Sequence, residues 1–183
     1  VEAAGSMAGV PDGYDRLWTP HRMAYIGGES KPADDRPGPG CPFCAAPEGD
    51  DETALIVYRG QTCYVVLNLY PYNPGHLLVC PYRHVPDLVA MSPPERAELI
   101  ELTEAAMVHL RAAKAPDGFN LGMNAGEVAG AGVAAHAHQH IVPRWRGDAN
   151  FLPIVGRAKA VPELLADTRR ELAQQWGSDS GPR

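Results

Sequence analysis

The chain has 183 residues, 45% of them hydrophobic, and a formal net charge of −6. That length allows one domain with a real core, and the acidic balance supplies no bulk field to draw it to nucleic acid or to an anionic membrane. No apolar run reaches the roughly 18 residues of a spanning helix and no signal-like pattern opens the chain, so the expected setting is the cytoplasm, with no nucleic-acid and no membrane partner.

Residues 1–13 carry no periodicity, and 1–15 are expected to be loose, with Met7 a candidate native start. Residues 16–26 are apolar and aromatic enough to dock, and His21 among them reads as a packed or surface histidine rather than a ligand. The Gly-, Pro-, Asp- and Lys-rich stretch 27–40 reads as a loop. It runs into Cys41-Pro42-Phe43-Cys44, whose two-residue spacing lets two thiolates grip one tetrahedral ion. A redox pair has the same spacing, but its usual βαβ surroundings are missing; two unliganded thiols are the third option. Cys63 and Cys80 sit inside apolar runs and read as buried small hydrophobes.

From residue 54 the pattern turns to strands. Ala54–Tyr58 and Thr62–Asn68 are β-rich runs separated by Arg59-Gly60-Gln61, which predicts a hairpin. Residues 69–75 are dense in turn formers, and His76–Cys80 reads as a third strand ended by Pro81. Ser92-Pro93-Pro94-Glu95 reads as a helix start, with Ser92 as N-cap, prolines in the first turn and Glu95 at the capping-box position. Leu99, Leu102, Ala106 and Leu110 then mark one apolar face, with His109 expected on the surface. After the Pro116-Asp117-Gly118 turn, Phe119–Asn124 reads as a fourth strand and Ala125–Ala135 as a loop of small residues. Leu164, Leu165, Thr168, Leu172 and Trp176 support a C-terminal amphipathic helix, and the polar tail 177–183 is expected to be loose. This order predicts a single α+β domain over 1–183: a mostly antiparallel sheet, a long helix and a C-terminal helix.

Between the small-residue loop and Pro143 lies His136-Ala137-His138-Gln139-His140-Ile141-Val142. Strict alternation with a β-branched tail predicts a strand, on which His136, His138 and His140 form one row. Neighbouring imidazoles would stand roughly 6–7 Å apart and the outer two about 13 Å apart. One tetrahedral ion with bonds near 2 Å cannot span all three, so the row implies a division of labour.

This triad, followed by Ile141 and Val142, resembles the signature of the histidine-triad nucleotide hydrolases and transferases. The other parts of that family match in order over about residues 41–146: Asn68 after a strand, Asn73-Pro74-Gly75-His76-Leu77-Leu78-Val79-Cys80-Pro81, a long helix, Asn124, a Gly-rich loop, then the triad. The flanks 16–23 and 143–151 resemble the actinobacterial branch, which includes diadenosine tetraphosphate phosphorylases. The resemblance implies the histidine-triad fold, a nucleotide substrate and a homodimer that joins two sheets. It puts the nucleophile at His138 and a donor to phosphate oxygens at His140, with Asn124 contacting phosphate, Asn68 contacting ribose and His76 as supporting structure. The chemistry suits imidazole, which is neutral near pH 7 and can hold a nucleotidyl group covalently. The amides of Gly130, Ala131 and Gly132 can approach phosphate closely because the loop lacks bulk. One departure stands out. Many members carry Gln, Ser or Thr just ahead of the triad, whereas residues 130–133 are Gly-Ala-Gly-Val, without a side-chain donor.

Some relatives pair a cysteine motif like 41–44 with two histidines, which implies a structural zinc on Cys41, Cys44, His84 and His136. His84 ends the Pro81-Tyr82-Arg83-His84 turn, and His136 opens the triad. The implied activity is nucleotidyl transfer from diadenosine tetraphosphate through an AMP–His138 intermediate, with phosphate or water as acceptor. The alternatives are a nucleoside phosphoramidase or other adenylyl-group hydrolase, and a nucleotide-binding protein with little turnover.

Overall fold

A computed structural model describes residues 36–148 and 163–178. The expectations for residues 1–15 and 16–26, for His21, for most of the 27–40 loop and for the tail beyond Ser178 lie outside the described residues. The strands are β1 (Ile56–Arg59), β2 (Cys63–Leu67), β3 (Leu77–Pro81), β4 (Gly118–Gly122) and β5 (Gln139–Arg144). The helices are α1 (Pro42–Ala45), α2 (Pro93–Lys114) and α3 (Leu165–Ser178), with short 3-10 segments at Ala46–Glu48 and Glu127–Ala129. All pairings are antiparallel and the strand order is β1-β2-β3-β5-β4, the α+β arrangement expected.

β2 and β3 are buried along their whole length because both faces of the sheet are covered. On one face Val65, Leu67, Leu77, Val79 and Ile141 pack with Leu99, Leu102, Ala106 and Leu110 of α2 and Leu172 of α3. On the other, Tyr64, Val66, Leu78 and Cys80 meet Phe43, Ala46 and Tyr82. The Cys41–Cys44 turn therefore lies across the sheet from the long helix. Leu110 is fully buried, and truncating such a leucine to alanine costs about 2–5 kcal/mol.

α2 begins where the sequence places it. Ser92 accepts from the Glu95 amide and the Glu95 carboxylate accepts from the Ser92 amide, a reciprocal cap that satisfies two otherwise orphaned donors. Glu98, one turn on, takes the amides of Gln61, Thr62 and Cys63 and so ties the β1–β2 hairpin to the helix.

Four details depart from the sequence expectation. First, β5 begins at Gln139, so His136 and His138 precede it. The β3–β5 ladder stops at Val79↔Gln139 because the Ala137 amide is captured by the Val85 carbonyl beyond the end of β3. Alternation survives the break: Ala137 and Ile141 point into the helix-side core, while His138 lies against Phe43. Second, Pro143 does not close the strand, which continues to Arg144. The Pro143 carbonyl accepts from Asn73 on the β3 side, past the last rung at Leu77↔Ile141, so its missing N–H removes no ladder bond. Third, His109 is buried rather than on the surface, since α3 brings Trp176 to 4.2 Å from its ring. Fourth, β4 ends at Gly122, leaving Asn124 two residues beyond it. Among the described residues, no helix is long and apolar enough to cross a membrane.

Candidate active site and metal cluster

The sheet register assembles the site. His76, which stands one residue before β3 because that strand runs through Pro81 rather than from His76 to Cys80 as expected, and His140, the second residue of β5, meet through Nε2 and Nδ1 at 3.0 Å. The Nδ1 of His76 faces the backbone N–H of Tyr72 at 3.1 Å. A backbone amide can only donate, so His76 Nδ1 is the acceptor and its Nε2 carries the proton. That proton is donated to His140 Nδ1, which puts the proton of neutral His140 on Nε2. His140 Nε2 is buried and has no hydrogen-bond partner among the described residues. A buried donor without a partner is rare in proteins and points to a ligand acceptor.

His138 is set the opposite way. Its Nδ1 donates to the His136 carbonyl at 2.8 Å, which leaves the lone pair on Nε2. The two catalytic candidates are adjacent, ring centroids 5.1 Å apart and nearly perpendicular. Burial lowers the pKa of His138, against a smaller opposing effect of the carbonyl. Burial, with some help from His138, lowers that of His140 to about 4. Both are therefore neutral at pH 7, the form that either role needs.

The remaining expected substrate contacts are less uniform. Asn68 is held beside the row, its Nδ2 3.3 Å from His76 Nδ1 and its Oδ1 accepting from the Tyr70 amide. Asn124 lies two residues past the last β4–β5 rung, Gly122↔His140, on the loop side of the row. The small-residue loop is closed on itself. Gly126 and Gly130 both have φ of 87°, in the region that favours glycine, and the Gly130 and Ala131 amides donate to Glu127 and Gly126. Of the three loop amides expected at phosphate, those two are engaged within the loop, and Gly132 is the one not seen in its closure.

His136 turns away from the row. Its Nε2 donates to the Pro81 carbonyl at 2.9 Å, which puts the lone pair on Nδ1, the nitrogen that faces the two cysteines. That Nδ1 stands 3.4 Å from Cys41 Sγ and 3.5 Å from Cys44 Sγ, and His84 Nδ1 stands 3.3 Å from Cys44 Sγ. All four ligand atoms lie within 4.8 Å of one another. A tetrahedral ion with Zn–S near 2.3 Å and Zn–N near 2.0–2.1 Å has N···S edges of about 3.5 Å, so the cluster has the right size and donor set. Its geometry is that of a closed site, with no ligand position left for substrate.

Two contacts have no signal in the sequence spacing. Phe43, between the two cysteines, packs 4.7 Å from the His138 ring. Tyr72, from the turn-rich segment, lies 4.8 Å from His76 and stacks on His140 at 6.0 Å.

The HIT domain family matches residues 50–147. The chain is also 48% identical over 170 residues to an AP-4-A phosphorylase of Mycobacterium tuberculosis, covering 92% of this chain and 87% of that protein. The chain belongs to the HIT family. It is an enzyme of that family. Among solved structures, a Zn-bound histidine triad family protein from Mycobacterium smegmatis is similar at TM-score 0.61 and 25% identity, over 75% of this chain and 94% of that one. A hypothetical histidine triad nucleotide-binding protein from Sulfolobus tokodaii matches at TM-score 0.61 and 26% identity, over 75% and 93%. Within this HIT chain, the triad splits by position: His136 joins the cysteines, while His138 and His140 remain paired in the row.

Proposed function

We propose that this HIT enzyme transfers AMP from diadenosine tetraphosphate through a covalent intermediate on His138. The observation that carries this reading is the pair of opposite tautomers: a lone pair on His138 Nε2 beside an unpartnered N–H on His140 Nε2. In the first step His138 Nε2 attacks the α-phosphorus, the P–N bond forms, and the bond to the bridging oxygen breaks to release ATP. His140 Nε2–H hydrogen-bonds to phosphate oxygen as negative charge develops. In the second step an oxygen of inorganic phosphate attacks the same phosphorus, the P–N bond breaks, and ADP leaves with His138 restored. Asn68 would hold the ribose, and Asn124 with the Gly132 amide the phosphates. The 48% identity to a protein named as a phosphorylase supports phosphate as acceptor. The absence of a side-chain donor at 131–133 favours a second reading, in which water attacks and AMP is the product.

The four-residue cluster is assigned to a structural zinc, which when bound crosslinks the 41–44 turn, the turn after β3 and the triad. A reducing cytoplasm would keep Cys41 and Cys44 as thiols for it. A homodimer is also proposed, with β4 as the joining edge: β1 is packed by α3, whereas β4 ends the sheet and leaves Leu121 exposed. The test is incubation with diadenosine tetraphosphate, with and without inorganic phosphate, followed by chromatography. ATP plus ADP supports phosphorolysis; ATP plus AMP in both arms supports hydrolysis. Failure of an α-phosphate-labelled substrate to label His138 would remove the covalent mechanism.

A further inference from the structure

Resting on the assignment of His138 as nucleophile, we infer that Phe43 is a positioning residue for it. The ring carried between Cys41 and Cys44 holds the His138 imidazole at the tilt from which Nε2 attacks. His138 has one protein hydrogen bond among those described, from Nδ1 to the His136 carbonyl. One such bond selects the tautomer, but imidazole χ2 is a broad torsion, and a ring tied at one nitrogen can still rock about that tie. The restraint on tilt has to come from packing. Phe43 lies 4.7 Å from the His138 ring at 36°, so it covers a face. His140 meets His138 nearly edge-on instead, at 69°.

Phe43 is itself held from several directions, which a wall must be if it is to orient a neighbour. The hydroxyl of Tyr64, a fully buried residue, donates to the Phe43 carbonyl at 2.7 Å. The turn is closed by the Cys44 and Ala45 amides donating to the Cys41 carbonyl. Both cysteines on either side of the ring belong to the four-residue cluster, and Phe43 also touches His136 at 5.6 Å. His136, the third cluster residue involved, supplies the carbonyl that fixes the His138 tautomer. Both restraints on the nucleophile thus originate in the cluster, one by hydrogen bond and one by ring contact.

The test replaces Phe43 by Leu, which keeps apolar bulk and removes the flat face, in the metal-loaded full chain. Metal content and thermal stability are measured alongside kcat, KM and the nitrogen-15 histidine spectrum. The expected result is metal retained at the parent level, kcat lowered about tenfold and KM within about twofold of the parent. The His138 ring signals should move from one fixed environment to an averaged one. Phe43→Met, also without a flat face, is the second variant should Phe43→Leu lose metal, and Phe43→Tyr, which keeps the face, should restore kcat. Unchanged His138 signals with kcat within about twofold of the parent would overturn the inference. So would a raised KM with kcat unchanged, which marks Phe43 as a wall of the nucleotide pocket only. If the parent forms no adenylylated His138, the assigned chemistry fails, and the spectral comparison of parent and Phe43→Leu still decides whether the ring is positioned by Phe43.

Discussion

Replacing His76 by leucine tests the order of donors that gives His140 its role. His76 is fully buried and, with Asn68 Nδ2 also 3.3 Å from its Nδ1, links the Tyr72 amide, from which it accepts at 3.1 Å, to His140 Nδ1, to which it donates at 3.0 Å. Leucine fills most of the space but can do neither. Each lost bond is worth about 1 kcal/mol net, and a partner left buried without replacement costs about 1–3 kcal/mol. Tyr72 is half exposed, so water can reach its amide, whereas His140 is more enclosed. The sum is a loss of about 2–4 kcal/mol, which a domain of ordinary stability, about 5–15 kcal/mol, survives folded. The catalytic effect is separate. Without a donor at Nδ1, His140 no longer has its proton held on Nε2, and losing about 1.4 kcal/mol of transition-state stabilisation lowers kcat about tenfold. Urea unfolding gives the first quantity and steady-state turnover of diadenosine tetraphosphate the second. A stability loss under about 0.5 kcal/mol, less than one net hydrogen bond, together with kcat within about twofold of the parent, would refute the donor order.

Three further outcomes follow from the same geometry. His138→Ala should lower turnover by about a thousandfold or more while AMP binding by calorimetry stays near the parent level, and catalysis within about tenfold of the parent would remove His138 as nucleophile. Metal removal by a chelator should lower the melting temperature and the rate together; less than about a tenth of an equivalent of any transition metal in protein purified without added metal, with full activity in chelator, would reject the zinc site. The Glu95 carboxyl is held at about 2, below its ordinary 4.5, chiefly by the hydrogen bond from Arg83. A depressed carboxylate contributes above its unfolded value, so its stabilisation, at most about 3 kcal/mol, is present above pH 4.5 and is lost as pH falls from 4.5 through 2. Chemical denaturation of the parent and of Glu95→Gln should converge over that window, and parallel curves would count against the ion pair.

The sheet and long helix were legible because their signals are local. β2 and β3 are continuous apolar runs, and Ser92 with Glu95 carries a helix start in four residues. Half of the candidate metal cluster is legible in the two-residue spacing of Cys41 and Cys44, but His84 and His136 are legible only through resemblance, since no spacing rule joins them to that pair. The start of β5 was not legible, because it depends on the Val85 carbonyl reaching Ala137 from another segment. His109 misled for a similar reason: its helix face is covered by α3, whose landing place the helix pattern of α2 does not encode. Phe43 and the ordering role of His76 depend on what stands beside them in space.

His138 and His140 are the same residue type, two places apart and both held neutral by burial. Charge therefore cannot distinguish the proposed nucleophile from the proposed donor. The distinction lies in what each Nδ1 faces. A carbonyl at His138 Nδ1 can only accept, which forces the proton onto Nδ1 and the lone pair onto Nε2. A protonated imidazole nitrogen at His140 Nδ1 donates, which forces the reverse. The first partner is main chain, set by the turn that carries His136 into the cysteine cluster. The second is a side chain, itself set by the Tyr72 amide in the turn before β3. A side-chain substitution can therefore reverse the order at His140 directly, whereas at His138 the accepting carbonyl survives any side-chain change and only its placement can be disturbed, through the 41–44 turn and its cluster.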